Sequence, residues 1–226
     1  RGQKMKRTIL IFICTILTFS VFANTPEEEL LSRKEQKLKN YLTEVKAGDR
    51  TSKERVLDEI LNGFDSEKYS EDDKKLVELV DFLMGEGSIR KQFQDGRQIN
   101  DYPEIRRKSV KVMAKIGGAG ARLSLLNALN TEPHSSVKAE ICLALADPNM
   151  SDDSGDILRA LSYMYRTTNR PDQNLVAALI DAVKNIAKGN PMNYSEAIYL
   201  LSEIQHGNYN RDIRTRALEA IETLSE

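Results

Sequence analysis

The sequence predicts an all-α protein, a right-handed α-solenoid of about four to five antiparallel helical hairpins. Beyond residue 26, apolar residues recur at three- and four-residue steps, and no long alternating run of the strand type interrupts them. Leu, Ile, Ala, Glu and Lys dominate, all of them helix formers except the β-branched Ile, while aromatics make up only 6% and Trp is absent. One helical pattern also returns along the chain. Ile105, Val137, Leu175 and Ile213 superpose at spacings of 32, 38 and 38 residues. From those starts Val110, Cys142, Ile180 and Leu218 agree, and then Met113, Leu145, Val183 and Ile221. A spacing in the thirties with one helical hairpin per unit marks an α-solenoid, because a lone hairpin buries its apolar stripe only against a neighbour.

The elements follow in order. Glu27–Val45 reads as a long charged helix. Thr51-Ser52-Lys53-Glu54 has the pattern of a capping box and opens a helix to Leu61. Ser70–Met84 is next, with acidic residues in its first turn, where the helix dipole favours them. Gly85–Asp101 then reads as an irregular insertion, longer than ordinary connections and therefore mobile or functional. Helices are expected at Pro103–Ile116, Ala119–Asn130, Ser135–Ala146, Ser154–Arg166, Asp172–Lys188, Tyr194–Gln205 and Arg211–Leu224. Gly117-Gly118, Pro148, Pro171, Gly189 to Pro191 and Gly207 punctuate them, and such short connections imply antiparallel neighbours.

The first 23 residues have the order of a cleavable secretory signal. Lys6-Arg7 forms the basic region, Ile9–Phe22 the apolar region, and Val21-Phe22-Ala23 the processing site. Met5 is the better initiator, so residues 1–4 read as upstream sequence. The apolar run is short for a membrane span, which needs about 20 residues, so no stable span is expected after cleavage; an uncleaved anchor is the competing reading. Cleavage after Ala23 removes four basic and no acidic residues, leaving 29 basic against 34 acidic side chains and a net charge near −5. Nonspecific nucleic-acid binders carry the opposite excess, so a nucleic-acid partner is not expected. The chain thus divides into a signal peptide (1–23), N-terminal helices with the insertion (24–100) and the repeats (101–226). It is expected in a periplasmic or extracellular compartment of a prokaryotic envelope.

The repeats resemble a known family. Asp101-Tyr102-Pro103-Glu104-Ile105-Arg106-Arg107 and Asp212-Ile213-Arg214 are similar to the HEAT repeat of armadillo-type folds, whose second helix opens with aspartate, a β-branched residue and arginine. Pro103 suits the first turn of that helix, where its missing N–H costs nothing. Val137-Lys138 keeps the charge and Leu175-Val176 departs from it; in residues 27–84 the motif is not visible. The resemblance implies that Arg106, Lys138 and Arg214 form a structural ladder bonded to acidic groups in neighbouring loops.

Catalytic, metal and cofactor chemistry is hard to assemble from these residues, and none is expected. The histidines, His134 and His206, lie 72 residues apart beside helix ends, and Cys142 sits on the apolar stripe. Metal sites built on His and Cys want several convergent ligands. The His-Glu pairs with which some HEAT-type enzymes hold iron are absent, since Ser135 and Gly207 follow the histidines. Gly117-Gly118-Ala119-Gly120 follows a helix without the Lys-Ser/Thr of a phosphate cradle, and Asp147–Asp153 misses the calcium-loop pattern.

One helix face stands out. Arg107, Lys111 and Lys115 stand at i, i+4 and i+8 on Pro103–Ile116, opposite the apolar stripe, and the insertion adds Arg90, Lys91 and Arg97. These six residues form the candidate surface for a protein partner, with a plain solvated face as the competing reading. The expected function is an exported, non-enzymatic protein-interaction scaffold. The alternative implied by the resemblance is a HEAT-like lyase or cofactor-handling protein of the bilin-attachment kind.

Overall fold

The structure is a computed structural model that describes residues 26–150 and 154–225. The signal segment and its processing site lie outside the described residues. The fold is all-α. Ten helices run α1 (Pro26–Ala47), α2 (Arg50–Gly63), α3 (Lys74–Met84), α4 (Pro103–Ile116), α5 (Gly118–Thr131), α6 (Ser135–Leu145), α7 (Ser154–Thr167), α8 (Gln173–Gly189), α9 (Tyr194–Gln205) and α10 (Arg211–Ser225). The count is of the described residues.

These helices stack as two rows. The odd-numbered helices pack one on the next, α1 to α3, α5, α7 and α9, and the even-numbered ones do the same from α2 to α10. Each odd helix also packs on the even helix that follows it, so five hairpins stand side by side. The described helices of residues 26–100 therefore belong to the same stack as those beyond residue 101. One continuous apolar core runs between the rows, with Ile60, Leu79, Met113, Leu125, Ile141, Leu161, Leu179 and Leu200 fully buried. In four of the five hairpins the odd-to-even turn is short; in the second it is the insertion.

Local sequence sets the ends. The α2 cap is Asp49, two residues before the expected Thr51, and its carboxylate accepts from the Ser52 backbone N–H at 2.9 Å. Asp172 caps α8 through the Leu175 N–H in the same way. Pro103 opens α4, and Gly117 closes it with φ 68°, a conformation open to glycine. The α3 helix starts later than the sequence suggests, at Lys74. Its expected first turn is a loop in which Asp73 accepts from the Ser70 N–H and pairs with Lys34 of α1 at 2.7 Å.

Two further expectations are corrected. The insertion is ordered and holds a small hairpin, β1 (Phe93–Gln94) paired antiparallel with β2 (Arg97–Gln98). Asp95 and Gly96, with φ 51° and 76°, make its two-residue turn, the preferred chemistry for this connection. Two residues per strand are too few to show alternation in sequence. Leu218, placed on the apolar stripe by the repeat alignment, is 40% exposed. It lies on α10, and among the described residues no hairpin packs over the position that buries Val110, Cys142 and Ile180 in inner units.

Candidate interaction site

A row of residues at one helical position, basic in three consecutive hairpins, ties the first four hairpins together. Lys53, Arg106, Lys138, Val176 and Arg214 each occupy the fourth position of α2, α4, α6, α8 and α10. Lys53 reaches Glu86 just beyond α3, with Nζ 3.0 Å from Oε1. Arg106 reaches Glu132 just beyond α5, and Lys138 reaches the Thr168 hydroxyl just beyond α7 at 3.0 Å. Val176 is buried without charge, and Arg214 is exposed at the end of the row. Lys53 is the rung the sequence reading missed. Its signal was present, because Leu57 and Ile60 follow it at the intervals that separate Val110 and Met113 from Arg106.

The Arg106 side chain is 0% exposed, and its guanidinium makes four hydrogen bonds. Nε and Nη2 donate to the two oxygens of Glu132 at 2.8 and 3.0 Å, the bidentate geometry that suits Arg. Nη1 donates to the Glu86 carbonyl at 2.9 Å and to Asp101 Oδ1 at 2.8 Å. Asp101 Oδ2 in turn meets His134 Nε2 at 3.1 Å. Burial pushes the Asp101 carboxyl up, but hydrogen bonds and charge from Arg106 and His134 outweigh it and hold it below its ordinary value.

This network fixes both ends of the insertion. Asn100 Nδ2 donates to Glu86 Oε1 at 3.0 Å and to the Arg90 carbonyl at 2.6 Å, and its Oδ1 accepts from the Gln92 N–H at 2.8 Å. Gln98 Nε2 donates to the Gly87 carbonyl at 2.6 Å. Gly87 has φ 73°, and a Cβ there would lie 2.2 Å from the Asn100 carbonyl oxygen, so the loop closes only with glycine. Lys53 and Glu86 are both buried, and a buried ion pair of this kind contributes geometry more than net stability.

On this rigid base the insertion displays apolar groups to solvent. Phe93 is 63% exposed, Ile89 59% and Ile99 46%. In the ribbon Phe93 stands opposite Gln98 and Ile99 opposite Gln92, so alternation places Phe93 and Ile99 on opposite faces. Lys91 and Arg97 flank them, both exposed. Sequence reasoning found the two cations and missed the three apolar residues, because scattered hydrophobics in a loop carry no periodic signal.

The six cations singled out in the sequence do not converge. The Arg90 guanidinium stacks on the Phe82 ring, 4.3 Å from its centroid, and donates to the Phe82 carbonyl at the end of α3. It is therefore a helix-end clamp. Arg107 pairs with Glu140 of α6 at 3.4 Å. Lys115 lies at the end of α4 remote from the insertion, about 12 Å along the helix from Arg107, with its ammonium over the Phe64 ring. Lys111 is exposed between them. Lys108 bridges to Glu54 and Asp58 of α2, and Arg216 to Asp181 of α8, so this row carries interhelical ion pairs of both signs.

The other reactive groups are occupied. Burial pushes the Cys142 thiol up to about 12, which keeps it protonated and unreactive near neutral pH. His206 Nδ1 lies 2.9 Å from the Ser202 carbonyl within its own turn. Among the described residues no group of three or more His, Cys, Asp or Glu side chains converges as a metal site, and no helix is long and apolar enough to cross a membrane. No protein-family model matches the chain, and no curated protein matches it either.

Proposed function

We propose that this protein is an exported, non-enzymatic interaction scaffold built on HEAT-like repeats, and that it engages a protein partner through the 85–101 insertion. The carrying observation is a ribbon clamped by buried charges, which exposes Phe93 on one face and Ile99 on the other. A long loop on a rigid scaffold is a common seat of recognition, and a large aromatic side chain exposed on it, here Phe93, is the usual kind of anchor. Apolar groups on both faces of the ribbon fit a cleft on the partner better than a flat surface. Lys91 and Arg97 beside them favour an acidic rim around that cleft.

The basic α4 face enters this reading only through Arg107 and Lys111, at the end nearer the insertion. Export rests on the sequence of residues 1–23. N-terminal sequencing of the protein recovered from outside the cytoplasm is expected to begin at Asn24, and a chain that retains Met5 would favour a membrane anchor instead.

A photo-cross-linking side chain at position 93 is expected to trap one discrete envelope protein, and the same group at Leu123, exposed on α5, none. The Phe93→Asp variant should keep the melting temperature and lose the partner. Equal trapping from both positions would mean that the insertion is not the docking element.

A further inference from the structure

The odd-to-even turns of all five hairpins lie along one edge of the stack. At the far end of that edge, the turns of the last two hairpins enclose an open groove of about 650 Å³, within the size range of ligand sites. Tyr165, Arg170, Asp172 and Gln173 line one side, and Asn208 and Tyr209 the other.

Several hydrogen-bond donors of the groove have no partner among the described residues. Tyr209 Oη donates to Tyr165 Oη at 3.3 Å, which leaves the Tyr165 proton free, and burial pushes the Tyr165 phenol up, so that proton stays on. Asp172 gives Oδ1 to the α8 cap and keeps Oδ2, the one carboxylate oxygen left in the lining, and Asn210 spends its oxygen on the Ile213 N–H and its nitrogen on Gln173 Oε1. Gln173 keeps its amide N–H₂ to offer. Arg170 is exposed, and among the described residues none pairs with its guanidinium. Arg170 also adopts φ 53°, a left-handed conformation that an arginine accepts only at a cost.

From this lining we infer that the groove is a second binding site, and that it takes an acidic peptide segment. Arg170 and Tyr165 would receive a side-chain carboxylate, with the guanidinium supplying the paired donors that suit it. The Gln173 and Asn208 amides match the N–H and C=O groups of a peptide backbone. The two phenol rings and Pro171 supply an apolar wall for a neighbouring side chain. The inference concerns lining groups other than those of the insertion, and it stands or falls separately from the reading of that loop.

The test titrates the purified, isotope-labelled protein with acetyl-Tyr-Glu-Glu-amide and, separately, with acetyl-Tyr-Gln-Gln-amide, following backbone amide signals by NMR. The acidic peptide is expected to shift Arg170, Gln173 and Asn208 saturably, with affinity falling as salt rises; the neutral peptide should bind far more weakly. Arg170→Asn, a residue that tolerates positive φ, should weaken the acidic peptide by about tenfold or more, the loss of one charge-assisted hydrogen bond. Equal binding of both peptides, or no shift at these three residues, would overturn the assignment. So would saturable binding of trigalacturonate in place of the acidic peptide, which would make the groove a carbohydrate site. Loss of these shifts with position-93 cross-linking intact would remove the groove alone.

Discussion

Replacing Arg106 by methionine is expected to destabilise the fold by about 3–5 kcal/mol, the usual cost of removing one partner from a buried charge pair. The Glu132 carboxylate, 5% exposed, would lose both guanidinium donors and keep only the His134 N–H, and the Glu86 carbonyl would lose the donor Nη1. The Arg106→Lys variant should also lose stability, because one ammonium offers no bidentate fork. Arg106→Met combined with Glu132→Leu should recover much of the loss, since the combination removes the orphaned charge. Denaturant unfolding of the single and double variants measures this, and a strictly additive cycle would show that the two residues are not coupled.

The pH dependence should point the same way. Asp101 is held below the ordinary carboxylate value of 3.8, so its contribution to stability is fully present above that pH. It is lost as pH falls through the lower folded value. In an Asp101→Asn background, this part of the acid sensitivity should disappear.

The second large effect is expected at the seam. Leu179 is fully buried on α8, which packs against α6, α7, α9 and α10. Walls from four helices limit how far the site can collapse, so Leu179→Ala should cost about 2–5 kcal/mol. Ile180, also buried, should behave alike. In a stack where each hairpin is covered by its neighbours, a cavity at this joint should weaken the docking of α9 and α10 as well. Unchanged melting temperatures for both alanine variants would mean that these side chains do not form the seam.

The helices and their stacking were legible in the sequence because both depend on periodic apolar residues. Pro103–Ile116 and Tyr194–Gln205 were read to the residue, since Pro, Gly and Asn punctuate their ends. The site was legible only in part. Arg106 was readable as a rung from its motif, but its acceptors, Glu132 and the Glu86 carbonyl, come from the following hairpin and from the preceding loop. Glu86, Asn100 and Gly87 were opaque for the same reason: their roles exist only once the loop folds back on itself. Arg90 resembled a free surface cation because a sequence does not show the Phe82 ring and carbonyl it covers. Phe93 and Ile99 gave no signal, because exposure is the exception for such residues and no period marks it.

Amide hydrogen exchange tests most directly whether buried charges hold the insertion as a rigid platform. The N–H groups of Gly87, Gln92 and Ile99 are bonded to the Arg90 carbonyl, Asn100 Oδ1 and the Gln92 carbonyl. In the wild-type protein these three amides should exchange far more slowly than an unstructured loop. In Arg106→Met they should lose protection before the amides of α8 do. Exchange of the three amides at the unstructured rate in the wild type would contradict the account.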